Sequence, residues 1–446
     1  MAIKNSHSFL FFCSLIIFLQ HLTGLQAIGV NYGMWADNLP NPAQVAQFVR
    51  DRTSIDRVKI FDSNPEVIRA FANTGILLSI TIPNGDIPSL ANTRVARRWI
   101  RSNVKPFYPA TKIHYLLVGS EVLHWGDQNM VSNLVSAMRS VHAALVVEGL
   151  GEIKVTTPHS LGILASSDPP SKASFRQGWE QNVLAPMLRF HRQTKSPFMV
   201  NPYPYFSWSP NQTQFTLFQS NPGVLDRFTG KKYYNVYDML LDAVYSSMKK
   251  LGYGDVEIAV GEVGWPSYGG PNLKHCTVEN ARWHNLNVMK KADSGVGTPL
   301  MPGRKFETYI FELFNENQKP GNDDEKNFGL FRPDMTAVYD IGITRGSQTG
   351  GGASAGKQWC VPKAGVSDAA LQANINWACK EGGVDCSPIT KKDADCYEPN
   401  NVRSHAAYVM NAYYQAKGHQ SFNCDFSQTG TVTFTDPSTG KCKFVA

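Results

Sequence analysis

Between residues 28 and 345, short apolar runs rich in β-branched and aromatic residues alternate with longer stretches whose apolar positions recur at helical spacing. This pattern predicts strands at Ile28–Tyr32, Arg57–Phe61, Ile76–Ile82, Tyr115–Gly119, Ile153–Thr157, Phe198–Tyr203, Glu257–Val260 and Tyr309–Leu313. Helices fill the gaps. "PEVIRAFANTG" opens on Pro65, suited to a first helical turn, and closes on Gly75, suited to a left-handed cap. "NMVSNLVSAMRSVHAALVVEG" again closes on glycine, at Gly149. Strands alternating with helices over one long domain favour an α/β fold, a (β/α)8 TIM barrel, over an open doubly wound sheet.

Two other patterns lie outside that domain. Behind Lys4, "FLFFCSLIIFL" is continuously apolar but short of the roughly 20 residues a bilayer span needs. With "LQA" ending at Ala27 it reads as a secretory signal peptide over residues 1–27, a better fit than a buried helix because it has no polar face. "GSQTGGGASAG" can bury nothing and reads as a flexible linker over residues 346–357. It matches the G-x-S-x-G nucleophile pattern formally, but Ser354 has neither the preceding strand nor the following helix that such a serine requires.

Composition narrows the class. The net charge of +7 is scattered along the chain without basic runs, which suits a soluble protein beside anionic surroundings and argues against a nucleic-acid partner. No second apolar stretch of membrane length is evident, and the chain stops at "KCKFVA", so neither a membrane span nor a glycolipid anchor is expected. Of eight cysteines, Cys13 falls in the signal peptide and Cys276 stands alone as a buried thiol. The other six, Cys360, Cys379, Cys386, Cys396, Cys424 and Cys442, lie beyond the linker and define a disulfide-rich module over residues 358–446. Their spacing leaves about 15 pairings open, and the lack of a C-x-x-C pair weighs against zinc.

The candidate chemistry is carboxylate chemistry. In a barrel, functional residues sit at the carboxyl ends of the strands. Glu121 in "LLVGSE" follows the fourth strand, and Glu262 in "AVGEVGWPS" follows the seventh. Strands four and seven face each other across the mouth, so two carboxylates converge there, as glycoside hydrolysis requires. Glu316 and Lys319 follow strand eight, and Tyr32, Tyr203, Tyr205, Phe206, Trp208 and Trp265 give the rim flat faces for sugars. No phosphate loop, H-E-x-x-H pair or calcium loop occurs, so neither a metal nor a cofactor is expected. "NDDEK" reads as a solvated loop, and His405 as a core or surface histidine. Asn211 in "NQT" is an acceptor for N-linked glycan.

"IGVNYG", "RVKIFD", "LLVGSEV", "NPYPYFSW", "GEVGWPS", "YIFELFNENQKPG" and "NFGLFRPD" together resemble the plant endo-β-1,3-glucanases of glycoside hydrolase family 17. The resemblance covers nearly all of the chain beyond the signal peptide. It implies a (β/α)8 barrel with an open cleft that hydrolyses internal β-1,3-glucosidic bonds with retention, Glu121 as acid/base and Glu262 as nucleophile. It also implies supporting roles for Glu316 and Lys319, and sugar contacts at Tyr32, Tyr203 and Phe206. Residues 358–446 resemble the six-cysteine carbohydrate-binding module appended to many such enzymes, whose pattern pairs Cys360 with Cys424, Cys379 with Cys386, and Cys396 with Cys442. The expected protein is a secreted monomer of the extracellular space or cell wall, partnered by β-1,3-glucan. The motifs depart from the family in Ser120, where asparagine is usual, and in Gly261 and Val263 beside Glu262, so slow turnover is expected. A glucan-binding wall protein with weak or lost catalysis is the alternative.

Overall fold

A computed structural model describes residues 28–345, 359–363, 365–416, 421–424, 426, 429–433 and 436–445. Residues 1–27 and 346–357, expected as signal peptide and linker and including Cys13 and Ser354, lie outside the described residues. Those described fall into two compact units, one within residues 28–345 and one within 359–445.

In the first unit, β1 (Ile28–Tyr32), β2 (Ile55–Ile60), β3 (Leu77–Ile82), β4 (Lys112–Val118), β5 (Lys154–Thr156), β6 (Pro158–Ser160), β7 (Phe198–Asn201), β8 (Ile258–Val263) and β9 (Thr308–Ile310) form one sheet. Its order is β5-β4-β3-β2-β1-β9-β8-β7-β6, and its pairings are all parallel. The two ends of that ladder, β5 and β6, are separated only by Thr157, so the sheet closes on itself. The single fifth strand expected from the sequence is broken there. Pro158 has no N–H to continue a ladder, and the chain switches partner from β4 to β7 at that residue. Eight stations around a closed parallel sheet make a (β/α)8 barrel.

Side chains alternate along each strand. Val30, Val58, Ile60, Leu116, Val118 and Val260 join the main core, while Tyr115, Leu117, Met199 and Ala259 form a separate cluster. Contrary to the expectation of no second apolar stretch of membrane length, one helix among the described residues, Gln128–Val147, has the length and apolarity to cross a membrane. Its Val131, Leu134, Met138, Val141 and Leu145 are buried in the main core, as in a helix packed on a barrel.

The second unit pairs β10 (Trp359–Pro362) antiparallel to β11 (Gly430–Thr433) and packs helices Asp368–Lys380 and Val402–Ala416 around a small core. Disulfides join Cys360 to Cys424, Cys379 to Cys386, and Cys396 to Cys442. His405 sits on the second helix, its Nε2 2.9 Å from the Tyr397 carbonyl oxygen.

Candidate active site

Glu121 is delivered by a strained turn. After β4, Gly119 and Glu121 both take left-handed backbone, with φ of 75° and 49°. Gly119 has no substitute, because a Cβ there would lie 2.6 Å from Asn84 Oδ1. Asn84 grips Ser120 at both backbone poles, accepting from its N–H at 2.8 Å and donating to its carbonyl at 3.0 Å. The Glu121 N–H donates to the Pro158 carbonyl at 3.0 Å, and its own carbonyl accepts from Trp125 N–H at 3.0 Å. Left-handed backbone costs a glutamate roughly 1–2 kcal/mol, and these bonds over-determine it.

The Glu121 carboxyl therefore enters the cleft held on both oxygens. Oε1 accepts from Asn201 Nδ2 at 2.8 Å and Oε2 from the Trp125 indole N–H at 3.2 Å. Burial raises it above the usual carboxylate range and the charge of Glu262 adds to this, while the Asn201 and Trp125 donors pull it back.

Glu262 lies inside β8 rather than past its end, and a bulge aims it. The β8–β9 register passes from Val260 opposite Thr308 to Val263 opposite Ile310, three residues against two. One extra residue reverses the alternation. Glu262 consequently points into the cleft, and Val263, fully buried, packs into the main core. Val263 is thus no substrate contact. Gly261 is fixed by space, since a Cβ would lie 2.8 Å from Asn201 Oδ1 and 2.9 Å from Met199 Sδ.

Beneath Glu262 is a lysine with no exposed surface. Lys59 Nζ donates to Glu262 Oε1 and to Asn31 Oδ1, each at 2.9 Å, and Asn31 Nδ2 donates to the Gly261 and Ile310 carbonyls at 3.2 and 3.3 Å. Burial lowers the Lys59 ammonium, and Glu262 opposes that. Tyr203 donates its hydroxyl to Glu262 Oε2 at 3.0 Å. Both oxygens of Glu262 therefore receive donors.

The cleft is ≈ 1370 Å³ and is lined by Tyr32, Ser120, Glu121, Tyr203, Phe206, Glu262, Glu316 and Lys319, all anticipated from the sequence. The Tyr32 hydroxyl has no partner among the described residues, and burial, then Asp62, pushes it up to about 12. Glu316 Oε1 accepts from Trp35 N–H at 2.6 Å. Lys319 Nζ lies 3.7 Å from Glu316, 3.4 Å from Glu325 and 4.1 Å from the Phe311 ring centre.

Some expectations need correction. Trp265 is wholly buried beneath the rim, donating its indole N–H to the His275 carbonyl at 3.0 Å, and does not line the cleft. Tyr205 is likewise buried, and Trp208 stacks on His275 at 3.8 Å, so neither lines the cleft. "NDDEK" is not wholly solvated, because Asp324 is buried and accepts from the Tyr205 hydroxyl at 2.7 Å. Asn211 is exposed on a short 3-10 turn, and Cys276 is free and buried. The sequence reading missed Lys59, Asn201, Trp35 and Trp125. A lysine inside an apolar strand and an asparagine ending one were the available signals for the first two, and the exposed tryptophans carried none.

A closed parallel barrel with a proton-prone carboxyl and a second carboxyl in electrostatic reach, in one open cleft, belongs to the glycoside hydrolases. The chain belongs to Glycosyl hydrolases family 17, whose model matches residues 28–343, and residues 358–431 match the X8 domain. It is 50% identical over 439 residues to a glucan endo-1,3-beta-glucosidase of Triticum aestivum, covering 94% of this chain and 95% of that protein. Glucan endo-1,3-beta-glucosidase 7 of Arabidopsis thaliana is 46% identical over 442 residues, covering 96% and 87%. Among solved structures, CJP38, a beta-1,3-glucanase and allergen of Cryptomeria japonica pollen, superimposes with a TM-score of 0.66 at 40% identity, covering 70% of this chain and 98% of that one.

Proposed function

We propose that the protein is a secreted enzyme that hydrolyses internal β-1,3-glucosidic bonds of linear β-1,3-glucan with retention of configuration. The observation that carries this reading is the unequal treatment of two carboxyls in one cleft: Glu121 is biased toward carrying a proton, and Glu262 is held by Lys59 and Tyr203. Glu121 protonates the glycosidic oxygen as Glu262 attacks the anomeric carbon, breaking the bond to the leaving sugar and forming a glycosyl ester. Glu121, now a carboxylate, takes a proton from water, which displaces Glu262 and regenerates both groups. Lys59 and Tyr203 fix the Glu262 oxygens, and Asn201 fixes Glu121.

An open cleft of ≈ 1370 Å³ suits attack within a polymer, with Tyr32, Tyr203 and Phe206 as sugar contacts and Glu316 and Lys319 as the supporting wall. Residues 1–27 serve as the signal peptide, 346–357 as the linker and 358–446 as a glucan-binding module, with glycan on Asn211 and the mature monomer outside the cell or in its wall. Reducing-end release from an unbranched β-1,3-glucan tests the reading. Release that is lost in Glu121→Gln and Glu262→Gln supports it. Glucan binding without release would make this a wall protein that grips but does not cut.

A further inference from the structure

Glu312 is a carboxyl group that the proposed mechanism does not use. It follows β9, has no exposed surface, and neither of its carboxyl oxygens meets an N–H or O–H donor among the described residues. Its main chain is pinned there, the N–H donating to the Phe328 carbonyl at 3.2 Å and the carbonyl accepting from Leu330 N–H at 2.8 Å. A second carboxyl stands beside it. Glu312 and Glu316 converge on Gly33, where a Cβ would lie 2.7 Å from Glu312 Oε2 and closer still to Glu316 Oε1.

The other charges near Glu312 are Glu262, itself paired with Lys59, and Lys319, which lies nearer to Glu325 than to Glu316. Tyr203, neutral, is also within electrostatic reach. Two ionised carboxylates side by side in a buried site repel unless a proton lies between them. Glu316 accepts from the Trp35 N–H and lies 3.7 Å from Lys319 Nζ, whereas Glu312 has no donor. We infer that Glu312 is a buried carboxylic acid that donates its proton to Glu316, a positioning residue that fixes Glu316 and, through it, the Trp35 segment and Lys319 along the cleft wall. Burial, then the charge of Glu316, hold Glu312 well above the usual carboxylate range, against the pull of Lys319.

The positioning role rests on the hydrolase reading, whereas the shared proton does not. Infrared difference spectra of the whole protein near neutral pH, wild type minus Glu312→Gln, are expected to show the carbonyl stretch of a protonated carboxylic acid that shifts in heavy water. No such band would overturn the proton bridge. In kinetics, Glu312→Gln still offers an N–H to Glu316 and keeps most of kcat/KM, while Glu312→Leu, similar in size but without a donor, loses roughly 10²-fold, the scale of an ångström-sized misplacement. Equal activity of the Gln and Leu variants, both folded by thermal unfolding, would overturn the positioning role. An inactive wild type would refute the hydrolase reading and the positioning role with it, and the infrared band would still decide the proton.

Discussion

Replacing Asn201 with alanine perturbs Glu121, the proposed acid/base, without touching its covalent structure. Asn201 Nδ2 donates to Glu121 Oε1 at 2.8 Å and is one of two side-chain donors that oppose the upward push of burial and of Glu262. A hydrogen bond to a charged group contributes about 1.5–3 kcal/mol, and each unit of pKa is about 1.36 kcal/mol. Loss of the donor would thus remove about 1.5–3 kcal/mol of support for the carboxylate form and push Glu121 further up if nothing replaced it. Glu121 borders an open cleft, so water can take part of that place, and the low end of that range is expected. The sign follows from the role. An acid whose pKa rises stays protonated to higher pH, so the alkaline limb of kcat/KM on a linear β-1,3-glucan oligosaccharide moves upward. Trp125→Phe removes the longer 3.2 Å bond from a ring that is 72% exposed, and its upward shift should be smaller than that of Asn201→Ala. The assay is the pH profile of kcat/KM for wild type and both variants. An unmoved alkaline limb in folded Asn201→Ala, or a larger shift in Trp125→Phe, would refute the assignment of Asn201 as the donor that tunes Glu121.

Trp265→Ala should lower stability by about 3–5 kcal/mol in denaturant unfolding, the cost of a large core cavity, with substrate KM little changed in what remains folded; an unchanged midpoint with a raised KM would return Trp265 to the cleft. Arg97, Arg101 and Lys105 donate to Glu148 at 2.6, 2.7 and 2.7 Å, and the Lys105 and Arg97 bonds lead in holding it at about 2. A carboxylate depressed from its unfolded value of about 4.3 contributes stability above that pH and loses it as pH falls toward 2, so Glu148→Gln should flatten the fall of melting temperature across that window, and parallel curves would contradict this. Mild thiol reduction should unfold residues 358–446, whose three disulfides close spans of 64, 7 and 46 residues, and abolish insoluble-glucan binding. Hydrolysis of short soluble oligosaccharides should survive, because Cys276 in the barrel is unpaired; its loss would place the second unit in the active site.

The barrel was legible because its strands are short, apolar and separated by helical periodicity, and the boundaries at Ile28–Tyr32 coincide while others moved by one to three residues. Glu121 was legible because glycine, a small residue and a carboxylate after an apolar run mark the end of a buried strand. The break at Pro158 and the bulge that aims Glu262 were not, since both are properties of paired strands and appear only in the ladder. Lys59 hid behind the rule that lysines face water. Its partners Asn31 and Glu262 lie 28 and 203 residues away, beyond any local pattern. Trp265 misled through proximity in sequence to Glu262, because Gly264 packs directly against the Phe311 carbonyl and the chain turns back into the core there.

In the proposed mechanism Glu262 attacks the sugar. Incubating the protein with a 2-deoxy-2-fluoro glucosyl donor carrying a good leaving group, followed by proteolysis and mass spectrometry, tests it directly. One glycosyl adduct is expected on the peptide containing Glu262, retained in Glu121→Gln because an activated leaving group needs no acid, and absent in Glu262→Gln. An adduct on Glu121, or equal labelling of Glu262→Gln, would contradict it.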